Sequence, residues 1–200
     1  MDYSNLLLFC ERWQEKAKKE NPDGELNECF DHFFTSFVVY NRIYNFCYFL
    51  NPNNVQDDYR DHKCAVDLMV KFAEESGVIE SILKKIRTYV VSAADVLSTN
   101  QFYIYDIYNN DKKKKKKEQN NEEDLKRKLS LQMSPENSKD IFEKVLELLY
   151  KVRCNMFHGE KEYVPKQIDL LRPLNHILDV LNATLLEVVR KKYDEELAKQ

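Results

Sequence analysis

The run Arg153-Cys154-Asn155-Met156-Phe157-His158 sets a guanidinium and an imidazole near one another in the chain, immediately before Gly159. These two groups suit a phosphate. A guanidinium pairs with phosphoryl oxygens through parallel N–H donors, and an imidazole exchanges protons close to neutral pH. The apolar spacing ahead of them places both where a helix is about to end, and terminal helix carbonyls favour a protonated imidazole. On an ideal helix five residues turn about 140° and rise about 7.5 Å, so Arg153 and His158 would not share one ridge. Asn155 and His158 would. A working site therefore requires the arginine to curl round, the last turn to loosen before Gly159, or a second copy of the chain to bring its own pair in a symmetric dimer.

The elements that must position these residues are helices. With 3 glycines and 5 prolines the chain offers few of the turns that sheets need. Ser4 can cap a first helix running to about Glu20, closed by Asn21-Pro22-Asp23-Gly24, and a second starts near Glu25. Phe30, Phe33, Phe34, Phe37, Tyr40, Tyr44, Cys47 and Tyr48 recur mostly three or four apart, and Val38, Ile43 and Leu50 widen that stripe. This is the expected central helix, its aromatic rings core rather than a base-stacking platform. Val66, Met69, Val70 and Ala73, with Phe72, mark the next helix, stopped by Gly77, and a fourth runs from about Val78 toward Leu97. Asn137 or Ser138 starts the helix bearing Ile141, Val145, Leu148, Leu149, Val152 and Met156. After Pro165 a last helix uses Leu171, Leu174, Ile177, Leu178, Leu181, Leu185 and Val188, with Pro173 either kinking it or marking its start. The expectation is one all-α domain over residues 1–200, a bundle of five or six helices.

Composition narrows the function classes. A balance of 31 basic against 34 acidic side chains, net -3, gives no global field for polyanions, so any such site must be local. The most apolar stretch, Phe33 to Leu50, carries Asn41, Arg42 and Asn45, which argues for a buried helix and against a membrane span. The 5 scattered cysteines and a start without the layout of a secretory signal point to a reduced, cytoplasmic setting. Tyr103 to Tyr108 reads as a connector. It leads into residues 109–137, a lysine-rich stretch with almost nothing apolar to bury, expected to be a flexible insertion.

Other histidines offer lesser chemistry. Cys29 with His32 and His62 with Cys64 would make a zinc set if the fold converged them. His176, with Arg172 four before and Asp179 three after, reads as a solvated member of an ion-pair row.

The segment from Tyr150-Lys151-Val152-Arg153 through His158-Gly159-Glu160-Lys161, followed by a long apolar helix, resembles the signature of HEPN domains. These are all-helical modules with an arginine, four to six residues, then a histidine. Phe33-Phe34 and the run Phe37 to Asn45 are similar to the aromatic-rich, asparagine-bearing helix common in that family, and the resemblance spans residues 25 to 195 outside the insertion. It implies a HEPN-like bundle and a metal-independent, cofactor-free endoribonuclease acting as a homodimer, with both motifs facing one RNA cleft. In that chemistry a 2'-hydroxyl attacks the adjacent phosphorus, His158 moves protons and Arg153 stabilises charge on the phosphoryl oxygens, leaving 2',3'-cyclic phosphate and 5'-hydroxyl ends. Many relatives carry a polar residue directly after the arginine. That place is Cys154 here, so Asn155, or Asn41 from the central helix, is the candidate to orient His158. The setting implied is toxin–antitoxin or antiviral defence, with a cognate antitoxin as a further partner. Relatives that keep the fold but act as binding modules define the competing expectation, a non-catalytic dimeric interaction or nucleotide-binding module.

Overall fold

The computed structural model describes residues 3–50, 60–98, 127, 136–157 and 167–199, and among them every regular element is a helix. α1 (Tyr3–Ala17) and α2 (Leu26–Leu50) are followed by a second hairpin arm in which α3 (Asp61–Lys63), a π-helical turn (Cys64–Leu68) and α4 (Met69–Glu75) run on without a break. α5 (Ile79–Ser98), α6 (Ser138–Phe157) and α7 (Ile168–Leu197) complete an all-α bundle. Tyr103 to Tyr108, the lysine-rich stretch apart from Arg127, Glu136 and Asn137, and the segment holding His158, Gly159 and Pro165 lie outside the described residues.

α2 is central because it is apolar on nearly every side. Phe33, Phe37, Val39, Tyr40, Ile43, Tyr44 and Phe46 are all buried, and a helix with no polar face must be covered all round. Each such large side chain contributes roughly 1.5–3 kcal/mol by leaving water. Two residues expected on its core stripe are exposed: Phe34 at 36% and Leu50 at 38%. Phe34 sits next to Phe33, so one helical turn cannot aim both rings at the same neighbours.

α7 lies along α2 in parallel, and three side-chain bridges fix the register. Asn175 Nδ2 donates to the Cys29 carbonyl across 146 positions, His32 meets Asp179 across 147, and Asn182 Nδ2 donates to the Ser36 carbonyl across 146. α1 runs the other way, with Tyr3 edge-on to Phe46 at 4.8 Å and the Arg42 guanidinium over Phe9 at 5.4 Å. α7 also packs against α5, and its Pro173 is buried inside the helix rather than at its start. The last part of the α7 stripe falls on Val189 rather than Val188.

Other boundaries differ for local reasons. α1 stops at Ala17 instead of near Glu20, because Lys19 N and Glu20 N bond three residues back, to the Lys16 and Ala17 carbonyls, which tightens the final turn. Ser4 lies within α1 and not at its cap. The helix expected around Val66 begins earlier, at Asp61. Gly77 does end α4, in the left-handed region at φ 67°, where a Cβ is costly. A Cβ at Gly24 would push aside the Glu28 carboxylate, which accepts from Glu25 N at 2.9 Å and closes the start of α2.

Candidate functional site

Tyr150, Arg153 and Cys154 stand three and four apart on α6 and so share one face. That face meets the C-terminal half of α2 and the first turn of α3, and the point of convergence is Asp61. Its Oδ1 accepts the Tyr44 hydroxyl at 2.6 Å, and its Oδ2 accepts the Tyr150 hydroxyl at 3.3 Å and faces Arg153 Nη1 at 3.4 Å. Asp61 also opens a helix, where exposed N–H groups favour a negative charge. Behind Tyr44 the relay continues: Asn45 Nδ2 donates to Asn41 Oδ1 at 3.0 Å, and Asn41 Nδ2 donates to the Tyr44 hydroxyl. Every donor in this chain points toward one carboxylate.

The Arg153 guanidinium lies between two rings, 5.8 Å from the centre of Phe37 and 5.9 Å from that of Tyr150. Such stacking steadies a flat cation and limits its rotamers. Its side chain is 22% exposed, so it is sheltered but reachable. Burial works against its charge, yet the contact with Cys154 Sγ at 3.9 Å and the Asp61 carboxylate outweigh burial and raise its proton affinity. Burial, with the neighbouring Cys154 and Asp61, also pushes the Tyr150 hydroxyl well above the usual phenol range. Tyr150 is therefore a donor and not a base at neutral pH.

The π-helical turn helps set this geometry. A π turn places an additional residue between its ends, and the buried Tyr40 hydroxyl donates to the Ala65 carbonyl within it. The same irregular arm carries His62, whose ring stands edge-on to Tyr150 at 5.0 Å.

The expected trio of Arg153, Asn155 and His158 is thus only partly in view. Arg153 is anchored by Asp61. Asn155, two positions on, is turned about 200° away on an ideal helix; it is buried, and its Nδ2 has no hydrogen-bond partner among the described residues. His158 lies outside them. Asn41 is committed to Tyr44. Of the residues gathered around Arg153, Tyr44 was read only as core and Tyr150 only as the start of the motif segment, and Asp61 was not singled out from sequence. Tyr150 alone had a legible signal, its spacing of three from the arginine.

The zinc set does not assemble. His32 bonds Asp179 at 3.0 Å and the Glu20 carbonyl at 3.2 Å, and Cys29 Sγ donates to the Pro22 and Gly24 carbonyls at 3.3 Å, while His62 stands against Tyr150. Among the described residues no three His, Cys, Asp or Glu side chains gather as a metal site. His176 also departs from its expected row: it reaches the Asp23 carboxylate at 3.0 Å and stacks on Tyr89 at 4.5 Å. Arg172 donates to the Gly24 carbonyl at 3.1 Å, and Asp179 serves His32 and Ser36. Long-range partners displaced the i, i+3 and i, i+4 ones because the loop closing α1 onto α2 lies directly over this part of α7.

No family model, curated protein or solved structure matches this chain. No helix among the described residues is long and apolar enough to cross a membrane.

Proposed function

We propose that the protein is a metal-independent endoribonuclease that acts as a homodimer, with Arg153 stabilising phosphoryl charge, His158 transferring protons and Asn155 assisting His158. The observation that supports this reading is the guanidinium of Arg153, kept cationic and steadied between Phe37 and Tyr150 in the last turn before His158. A preset cation in a sheltered site acts on developing charge more strongly than a solvated one, because it need not reorganise. Cleavage would proceed by attack of the 2'-hydroxyl on the neighbouring phosphorus, as the HEPN resemblance implies. The same resemblance suggests a cytoplasmic role in toxin–antitoxin or antiviral defence, with an antitoxin protein as partner.

A second reading is favoured by one specific contact. Asp61 already faces Arg153 at 3.4 Å, and an arginine so paired can serve chiefly to fasten α6 to α3. The chain would then be a non-catalytic interaction or nucleotide-binding module.

The experiment that separates them is incubation of the purified protein with total RNA in excess EDTA, beside Arg153→Ala and His158→Ala variants whose helicity is verified by circular dichroism. Cleavage by the wild type and by neither variant supports the nuclease. Retention of cleavage in both variants removes these residues from the chemistry, and absence of cleavage from all three at about pH 6 to 8 favours the module.

A further inference from the structure

A cavity of about 220 Å³ opens between the start of α1, the end of α2, α4 and the C-terminal part of α7. It shares no lining residue with the Asp61 and Arg153 network. Its lining is mixed: Phe46, Leu68, Phe72 and Val189 supply apolar surface, and Lys71, Lys192 and Glu75 supply charge. For scale, an apolar cavity of about 150 Å³ holds benzene, so this one has room for a ring with a short arm.

The charged part of the lining is unevenly paired. Lys71 Nζ lies 3.7 Å from Glu75, an exposed pair one helical turn apart that offsets part of its charge. Lys192 Nζ stands 4.4 Å from the centre of the Phe72 ring and has no carboxylate partner among the described residues. A ring face satisfies an ammonium from one side only, and leaves its other N–H donors to water or to a ligand. Cys47 at the cavity wall is no competitor for that charge, since burial pushes its thiol up to about 12. The hollow is partly open to solvent, and a concave, partly apolar space with a few convergent polar groups is the usual form of a small-molecule site.

We propose that this cavity binds a small hydrophobic monocarboxylate, its apolar part against Phe46, Leu68 and Val189 and its carboxylate at Lys192. The site is independent of RNA cleavage and stands whether or not the nuclease reading does.

The test is titration of the methyl-labelled full-length protein with 3-phenylpropionate and, separately, with the neutral 3-phenylpropan-1-ol, followed by NMR. The acid is expected to shift the Leu68 and Val189 methyl signals saturably and to bind about tenfold more tightly than the alcohol. Lys192→Met, which keeps an apolar stem against Phe72, should remove that preference and leave alcohol binding unchanged. Equal binding of acid and alcohol by the wild type overturns the proposal without recourse to any variant. So does the absence of shifts at both methyl sites up to about 10 mM acid, or a preference for the acid that Lys192→Met and Lys192→Gln both leave intact.

Discussion

The molecule has two dense polar networks, each built from a carboxylate, an arginine and a histidine, and they differ in what they are tied to. Around the turn at Asn21 to Gly24, Asn175, Arg172 and Cys29 all end on main-chain carbonyls, and His32 is held at one ring nitrogen by the Glu20 carbonyl. About 18 Å further along α2, by helical rise from His32 to Tyr44, the Asp61 network joins side chain to side chain: Tyr44, Tyr150 and Arg153 converge on one carboxylate. Groups anchored to backbone are fixed as firmly as the backbone itself. Groups anchored to one another can exchange a partner for a ligand. The contrast is one of degree, since Asp179 and Asp23 also pair with His32 and His176 side chain to side chain; it is on the proposed reading that the Arg153 end is the site.

The largest expected effect that sharpens this contrast is on catalysis. Arg153→Ala should lower RNA cleavage by about 10²–10³-fold, whereas Asp179→Asn at the other network should leave the rate per folded molecule unchanged; equal losses in both would break the comparison. Stability should respond in the opposite sense. Asn175→Ala removes one donor each from the Pro22 and Cys29 carbonyls and opens a hole in a fully buried position, a cost of about 2–4 kcal/mol in urea denaturation. Tyr150→Phe should cost under about 1 kcal/mol, because its bond to Asp61 is long and half-exposed water can replace it.

A smaller effect concerns Asp61 itself. Asp61→Asn keeps an acceptor for Tyr44 but removes the charge facing Arg153; we expect a loss of about 1 kcal/mol in stability and a decrease in cleavage of roughly tenfold. An increase in cleavage would instead show that Asp61 competes with phosphate for the arginine. The smallest expected effect is on pH dependence. Burial lowers the His32 pKa, but the Asp179 carboxylate and the Glu20 and Ala17 carbonyls outweigh it and raise it above 6.5. The stabilisation from the charged pair is then complete below the unfolded value and is lost as pH rises through the folded one. The denaturation midpoint should fall between about pH 6 and pH 8.5, and Asp179→Asn should flatten that fall; an unchanged slope would remove His32 as its source. Cys10 and Cys47 do not confuse this window, because burial holds both thiols at about 12.

Much of the bundle was legible because apolar spacing is a local property. Ile141, Val145, Leu148, Leu149 and Val152 of α6 and Met69, Val70 and Ala73 of α4 are buried as read, while Met156 and Phe72 are only partly covered; Gly77 ends its helix, and Asn21-Pro22-Asp23-Gly24 forms the turn. The π-helical turn was not, since one added residue leaves no signature in a short stripe. Nor was Asp61, which follows Arg60 at the head of a helix whose sequence carries no reference to α6. His176 misled for the same reason in reverse: Arg172 and Asp179 offered local partners, and the fold used Asp23 instead. The legible part of the site was its arginine, with Tyr150 three positions before it, and the illegible part was the carboxylate on which they converge.

The parallel arrangement of α2 and α7 carries a kinetic consequence. Helices joined by short turns meet early and quickly, but bridges spanning 146 and 147 positions require the chain to travel out and return before they close. During synthesis the face of α2 that α7 covers must wait until α7 has left the ribosome. In that interval α1 is the principal cover available to α2. The nascent chain is therefore most prone to aggregation while only its N-terminal half is made, and interruption ahead of α7 leaves a collapsed fragment rather than a smaller folded protein.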